Sequence, residues 1–299
     1  MRIVYIILAH HLPEQLVRLV RKLNTETAIF LIHIDKKTDN ETHKKMVDPL
    51  KDYTNVHFLK RITVHWGGFE HVHATFLGFE MIQTLNLDYD YVALLTGQDY
   101  PIKSNQQIEQ VLQDSGRRSF IEFFPLPNPR WADENGGVER INYWHFRAFG
   151  RNLVFLKRDH FIHPVSSHLY SALNAVFPLQ RNPPEGYELY GGSAYWCLTR
   201  ECVEYIQKFI EEQKTFVKFF KHVLIPDEVI FQIILLNSPL KEQLVNDNLR
   251  YITWSSAANP YILLKKDFKD IITSPKLFAR KFDSTIDADV LDLIDQATS

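Results

Sequence analysis

Ile29-Phe30-Leu31-Ile32-His33-Ile34-Asp35-Lys36-Lys37 and Tyr91-Val92-Ala93-Leu94-Leu95-Thr96-Gly97-Gln98-Asp99-Tyr100-Pro101 are built alike. Each is an unbroken apolar run of strand length that ends on a carboxylate and a turn. A strand covered on both faces needs no polar alternation, so such runs mark central strands of a parallel α/β sheet. Ligands of these sheets bind just beyond the carboxyl ends of the strands. Asp35 and Asp99 at that edge predict a site that reads hydroxyls or a ribose. The plainer alternative is that each aspartate only caps the helix after it. Two such strands together favour a nucleotide pocket.

The same rhythm extends on both sides. Strand 3–9 leads to a helix over 13–24, in which Leu16, Leu19, Val20 and Leu23 fall on one face. Strand 28–34, a polar helix near 40–51, a short strand at 55–60 and a helix over 70–85 follow. Strand 91–96, a helix over 105–114 and strand 118–124 complete a βαβ series, which predicts a mostly parallel, doubly wound sheet. Residues 125–190 change character: Pro125-Leu126-Pro127-Asn128-Pro129, Gly136-Gly137 and Pro183-Pro184-Glu185-Gly186 punctuate a stretch rich in arginine and aromatics. Long irregular stretches in a compact domain carry function, so this half should face the substrate. A strand at 194–198, helices at 200–213 and 227–236, a strand at 249–254 and a helix from about 284 close the chain. The expected organisation is one domain, 1–299, with a nucleotide-binding half (1–125) and an acceptor and diphosphate-binding half (126–299).

Composition excludes several classes. With 299 residues, 45% hydrophobic and 23% charged, this is an ordinary globular chain. A formal net charge of −2 gives no electrostatic case for nucleic acid or an anionic membrane. The N-terminal run Met1–His11 is too short to span a bilayer and lacks a basic n-region or cleavage site, and no run approaches 18 apolar residues. Cys197 and Cys202 form no metal pattern and predict free buried thiols. His10-His11 and His71-Val72-His73 lack the helical spacing and carboxylate companion of a metal site. No Gly-rich phosphate loop is present.

Three later segments carry chemistry. Gly191-Gly192-Ser193-Ala194-Tyr195-Trp196 reads as a tight turn into a strand. Pro226-Asp227-Glu228 opens a helix, with the acids at its positive end. Leu277-Phe278-Ala279-Arg280-Lys281-Phe282-Asp283 sets two cations between aromatics whose bulk implies partial burial. Helix capping and a solvated surface are the plain readings of the second and third.

In order and wording, the chain resembles the core-2/I-branching β-1,6-N-acetylglucosaminyltransferase family, which includes the peptide O-xylosyltransferases. The matching pieces are Ile6-Ile7-Leu8-Ala9-His10 with Pro13-Glu14-Gln15-Leu16, Ile32–Lys37, Trp66-Gly67-Gly68, Leu95–Lys103, the Gly192 turn, Pro226-Asp227-Glu228, Leu249–Trp254 and Phe278–Phe282. They span roughly residues 3–283. The resemblance implies a GT-A-type fold and inverting transfer from a UDP-sugar to a hydroxyl of a glycan acceptor. It implies Glu228 as the catalytic base. His10, Asp35, Trp66, Gly67 and Asp99 would border the nucleotide or donor sugar, and Arg280 and Lys281 would hold the diphosphate. Glu122, Arg140 and Trp254 fall where acceptor-binding groups are expected.

The resemblance also implies no cofactor and no divalent metal, with basic side chains in the metal's place. Most GT-A enzymes bind a metal through Asp-x-Asp after a central strand, whereas Gly97-Gln98-Asp99 offers one carboxylate there. Asp88-Tyr89-Asp90 precedes its strand and faces the wrong edge, and Asp287-Ala288-Asp289 belongs to a helix start. Two departures bear on the substrate. No arginine occurs at Asn259-Pro260-Tyr261, where the branching enzymes carry one. Ala194 stands where xylosyltransferases have an aspartate, which favours N-acetylglucosamine over xylose. Without an anchor or cysteine framework, a soluble cytoplasmic enzyme of bacterial type, building a surface polysaccharide or lipid-linked glycan, is expected. The rival from another class is a catalytically silent sugar-nucleotide or glycan-binding protein.

Overall fold

The computed structural model describes residues 1–148, 151–154, 180–254 and 260–299. Twelve strands are described: β1 Ile3–Ala9, β2 Ala28–Ile34, β3 Val56–Phe58, β4 Tyr91–Thr96, β5 Tyr100–Pro101, β6 Ser119–Pro125, β7 His145–Ala148, β8 Arg151–Val154, β9 Tyr190–Thr199, β10 Leu244–Val245, β11 Arg250–Ile252 and β12 Phe278–Arg280. The described helices are α1 Pro13–Leu23, α2 Asn40–Val47, α3 Glu70–Thr84, α4 Asn105–Asp114, α5 Val138–Asn142, α6 Arg200–Glu212, α7 Lys214–Phe220, α8 Ile230–Leu236, α9 Phe268–Thr273 and α10 Asp289–Ala297.

Seven strands form the central sheet in the order β10-β6-β9-β4-β1-β2-β3. β4, β1, β2 and β3 are parallel, and β9 runs antiparallel to both β4 and β6. The apolar runs are continuous because both faces are covered. Ile3, Tyr5, Ile7 and Ala9 enter one core with Leu16, Leu19 and Val20 of α1, whereas Val4 and Ile6 enter the other with Val72 and Phe79 of α3. A smaller sheet, β11-β12-β5, joins the chain's end to the turn after β4. No described helix is long and apolar enough to cross a membrane.

Three expected elements change, and β12 is added. Gly191 and Gly192 lie within β9 rather than in a turn before it, paired with Phe124 and Phe123. A Cβ on Gly191 would collide with the Trp131 ring, and one on Gly192 with the Glu122 carbonyl oxygen. Glycine here serves close packing, not a turn. Pro226–Glu228 is a 3-10 turn broken at Val229 (φ −135°) from α8. Asp227 and Glu228 therefore do not open the 227–236 helix, which corrects that expectation. The polar helix ends at Val47, where Pro49 enforces a 3-10 turn. β12 was not anticipated, because the Arg280-Lys281 pair at its end reads as surface while Phe278 and Phe282 on either side are fully buried.

Candidate functional site

The carboxyl ends of β1, β2 and β4 converge through their backbone. Asp35 N–H donates to Ala9 C=O at 2.9 Å, and Gly97 N–H donates to Leu8 C=O at 3.0 Å. His10, Asp35 and the Gly97–Asp99 turn are thus brought to one edge. Neither aspartate caps a helix. Asp39 caps α2 by accepting the Thr42 N–H, and Ser104 caps α4 with Gln107 completing a capping box. Asp35 instead shapes its own loop, accepting the Lys37 and Val64 N–H groups at 2.9 and 3.3 Å. Partial enclosure, His11 tilted against it with ring centres 4.0 Å apart, and Lys37 and His71 pull the His10 imidazole down to about 4, with Asp35 opposing. His10 is therefore neutral at pH 7.

Asp99 is fully buried. Its carboxylate accepts from the backbone and hydroxyl of Thr96 and from Arg280 Nη1 at 3.3 Å. Arg280 lies in β12 with its guanidinium 4.1 Å from the centre of the Tyr195 ring. Its Nε is buried without a hydrogen-bond partner among the described residues. Lys281 follows at the rim. Its N–H donates to Tyr261 C=O at 3.3 Å, and its charge acts on His11. Arg250 in β11, a buried arginine that the sequence did not mark as functional, donates to the Leu94 and Asn248 carbonyls at 2.7 and 2.6 Å. It braces the strand end beneath this site.

The other wall is the Pro226–Glu228 turn. Ile225 N–H donates to Gly67 C=O at 2.9 Å, so the Trp66-Gly67-Gly68 turn and the acidic turn are one assembly. Trp66 projects from it, 71% exposed. Burial and the adjacent Asp227 push the Glu228 carboxyl up to about 7, against the pull of Arg140. Arg140 Nη1 donates to Glu228 Oε2 at 2.6 Å. Burial also raises Asp227, whose Oδ1 has no hydrogen-bond partner among the described residues. Between the walls stands Tyr195, in the segment quoted from the sequence but without a role there. Its phenol feels Arg280, Asp99, Asp227 and Glu228 together.

The three expected acceptor residues have different partners. Glu122 faces Arg130 at 2.7 Å and Asn248 at 2.9 Å, and its carbonyl accepts from Gln232 at 3.3 Å. Arg140 is bound to Glu228. Trp254 is 59% exposed and bridges to Pro260, one strand removed from Lys281. Asn259 lies outside the described residues. The two decoy triplets sit as the sequence suggested: Asp88 pairs with Arg200 at 2.9 Å before β4, and Asp287 accepts the Val290 N–H at the start of α10. Both cysteines are free and buried. A separate, open groove of about 860 Å³ between α1 and α2 is lined by Arg18, Lys44 and Asp295, and contains none of these residues.

Residues 3–272 match the family model described as Core-2/I-Branching enzyme. Xylosyltransferase 2 of Rattus norvegicus is 26% identical over 316 residues, which cover 98% of this chain and 33% of the relative. Xylosyltransferase 1 of Homo sapiens is 24% identical over 316 residues, covering 98% and 30% respectively. The chain thus spans about a third of the length of the curated relatives it matches. Among solved structures, A197 from STIV aligns over 68% of each chain at a TM-score of 0.27 and 13% identity, too distant to carry an argument.

Proposed function

Because this chain belongs to the core-2/I-branching enzyme family, whose members are UDP-sugar-dependent glycosyltransferases, we propose that it moves a sugar from UDP to a glycan or glycoconjugate hydroxyl with inversion, as one GT-A-type catalytic domain. One juxtaposition supports the reading above all. A carboxylate raised to about 7 and a buried arginine act on the same tyrosine, at the carboxyl edge of parallel strands.

In this mechanism Glu228 removes the proton from the acceptor hydroxyl as its oxygen bonds to the anomeric carbon. The bond from that carbon to the β-phosphate oxygen breaks, and the electron pair leaves with UDP. A base near pH 7 is matched to that task. Arg280 and Lys281 stabilise the departing diphosphate, the arginine through its fork and the lysine as a point charge. Asp99 holds the Arg280 guanidinium instead of a cation from solution, since its carboxylate is engaged by Thr96 and Arg280. That donor set suits chemistry without a divalent metal. His10, Asp35, Trp66 and Gly67 border the nucleotide, and Glu122 and Trp254 lie toward the acceptor.

Two donors are carried forward. Ala194 favours N-acetylglucosamine, and the curated relatives, named as xylosyltransferases, favour xylose. Incubation with UDP-N-acetylglucosamine and UDP-xylose, each with radiolabelled sugar, separates them: label should pass from one donor to water or an added glycan. Binding of both donors with release from neither would support the silent binding protein instead.

A further inference from the structure

Arg140 was expected to touch the acceptor, and its side-chain polar contacts among the described residues are to two carboxylates. Nη1 donates to Glu228 at 2.6 Å, and Nε donates to Glu134. The guanidinium lies 3.7 Å from the centre of the Trp131 ring. Its own carbonyl accepts the Leu224 N–H at 3.1 Å, which binds α5 to the segment that runs into Pro226. The residue is 7% exposed. Trp131 is held in turn. Phe124 meets it edge-on at 4.9 Å, and Gly137 and Gly191 lie so close to the ring that a Cβ on either would collide with it. Glycines on two elements therefore seat one tryptophan, which seats one arginine, which holds one carboxylate.

We propose that Arg140, seated on Trp131, is a positioning residue that fixes both the orientation and the ionised state of Glu228. The inference rests on Glu228 being the base. Among the described residues, the groups facing Glu228 are Arg140 on α5, Glu134 on the preceding 3-10 turn, Asp227 on its own turn and Tyr195 on β9; His71 on α3 acts on Asp227. Burial, Asp227 and Glu134 all favour the protonated acid, and Arg140 opposes them. A planar arginine stacked on an aromatic keeps its fork fixed at little entropic cost, and a cation in contact lowers a carboxyl pKa.

The test reads Glu228 directly, by carbon-13 NMR of labelled glutamate with the resonance assigned through Glu228→Gln. Arg140→Met should move the titration up by one pH unit or more, and Trp131→Leu should move it less in the same direction. Transfer should follow. A one-unit rise from about 7 leaves about fivefold less ionised base at pH 7, so kcat should fall about fivefold there and recover by pH 9. Acceptor KM should stay within about twofold. An unmoved Glu228 titration in Arg140→Met overturns the inference, whether or not the wild type transfers sugar. So does a tenfold rise in acceptor KM with an unchanged pH profile, which would make Arg140 an acceptor ligand. A moved titration in a protein that transfers nothing upholds the clamp and removes the base. Trp131→Leu leaves both charges in place and gives the same discrimination should Arg140→Met not fold.

Discussion

Burial and Asp227 disfavour the charged form of Glu228, and that conflict has consequences for stability as well as rate. The folded protein holds this proton more tightly than the unfolded chain between the ordinary 4.5 and about 7. Stability contributed by the protonated form is therefore present below 4.5 and lost as pH rises through 7. Glu228→Gln should abolish transfer, leave UDP affinity nearly unchanged, and stabilise the fold by about 1–2 kcal/mol at pH 8, with the partial solvent contact of the carboxyl discounted. At pH 4 the gain should vanish. Thermal melts at the two pH values check the sign, and loss of UDP binding would make the residue structural. Lys281→Ala removes a rim cation rather than a buried one, so turnover should drop about 10- to 100-fold with weaker UDP affinity and little change in melting. A wild-type response in both assays would return Lys281 to the solvated surface.

At the scale of elements, the site depends on a clasp. Gln15, on the first turns of α1, donates to the Gly97 and Phe282 carbonyls at 2.9 and 3.2 Å and accepts the Ser284 N–H at 2.8 Å. It is 1% exposed and ties the turn after β4 to the segment after β12. Gln15→Leu keeps the volume and leaves these buried groups unpaired, which should cost about 2–4 kcal/mol. Denaturant melts should register that loss, and UDP affinity should weaken because Asp99 and Arg280 share the loosened turn. A leucine variant as stable as wild type would refute the clasp. Gln15 was visible in the sequence only as one letter of a resemblance, because a side chain that bonds three backbones far apart in the chain leaves no local pattern. β1, β2, β4, α1 and α4 were legible to within a residue or so, since burial on both faces or on one helical stripe writes itself into hydropathy. The antiparallel course of β9 was not. Strand direction is set by the connection, and here 190–199 returns between β4 and β6. The break at Val229 was hidden by a proline and two acids that read as a helix start. Trp131 and Tyr195 were hidden as aromatics among many, their roles fixed only by the glycines and arginines around them.

Over the whole molecule, β9 and β12 bring chain from beyond residue 189 against β4 and β5, so both halves of the sequence build one edge. Asp99 is paired with Arg280 and Glu228 with Arg140, and in the proposed mechanism these cations stand in place of a metal. Transfer should accordingly survive chelation, with the rate in millimolar EDTA equal to that without it; activity lost to EDTA and restored by manganese would require a metal the proposed mechanism omits.

The role of Glu228 as base is tested by UDP release from the wild type and from Glu228→Gln at pH 8, in EDTA, with donor and acceptor saturating. Steady release is expected from the wild type and a loss of at least about a thousandfold in the variant, with UDP bound equally by both. Equal release from the two proteins would show that Glu228 takes no proton and is not the base.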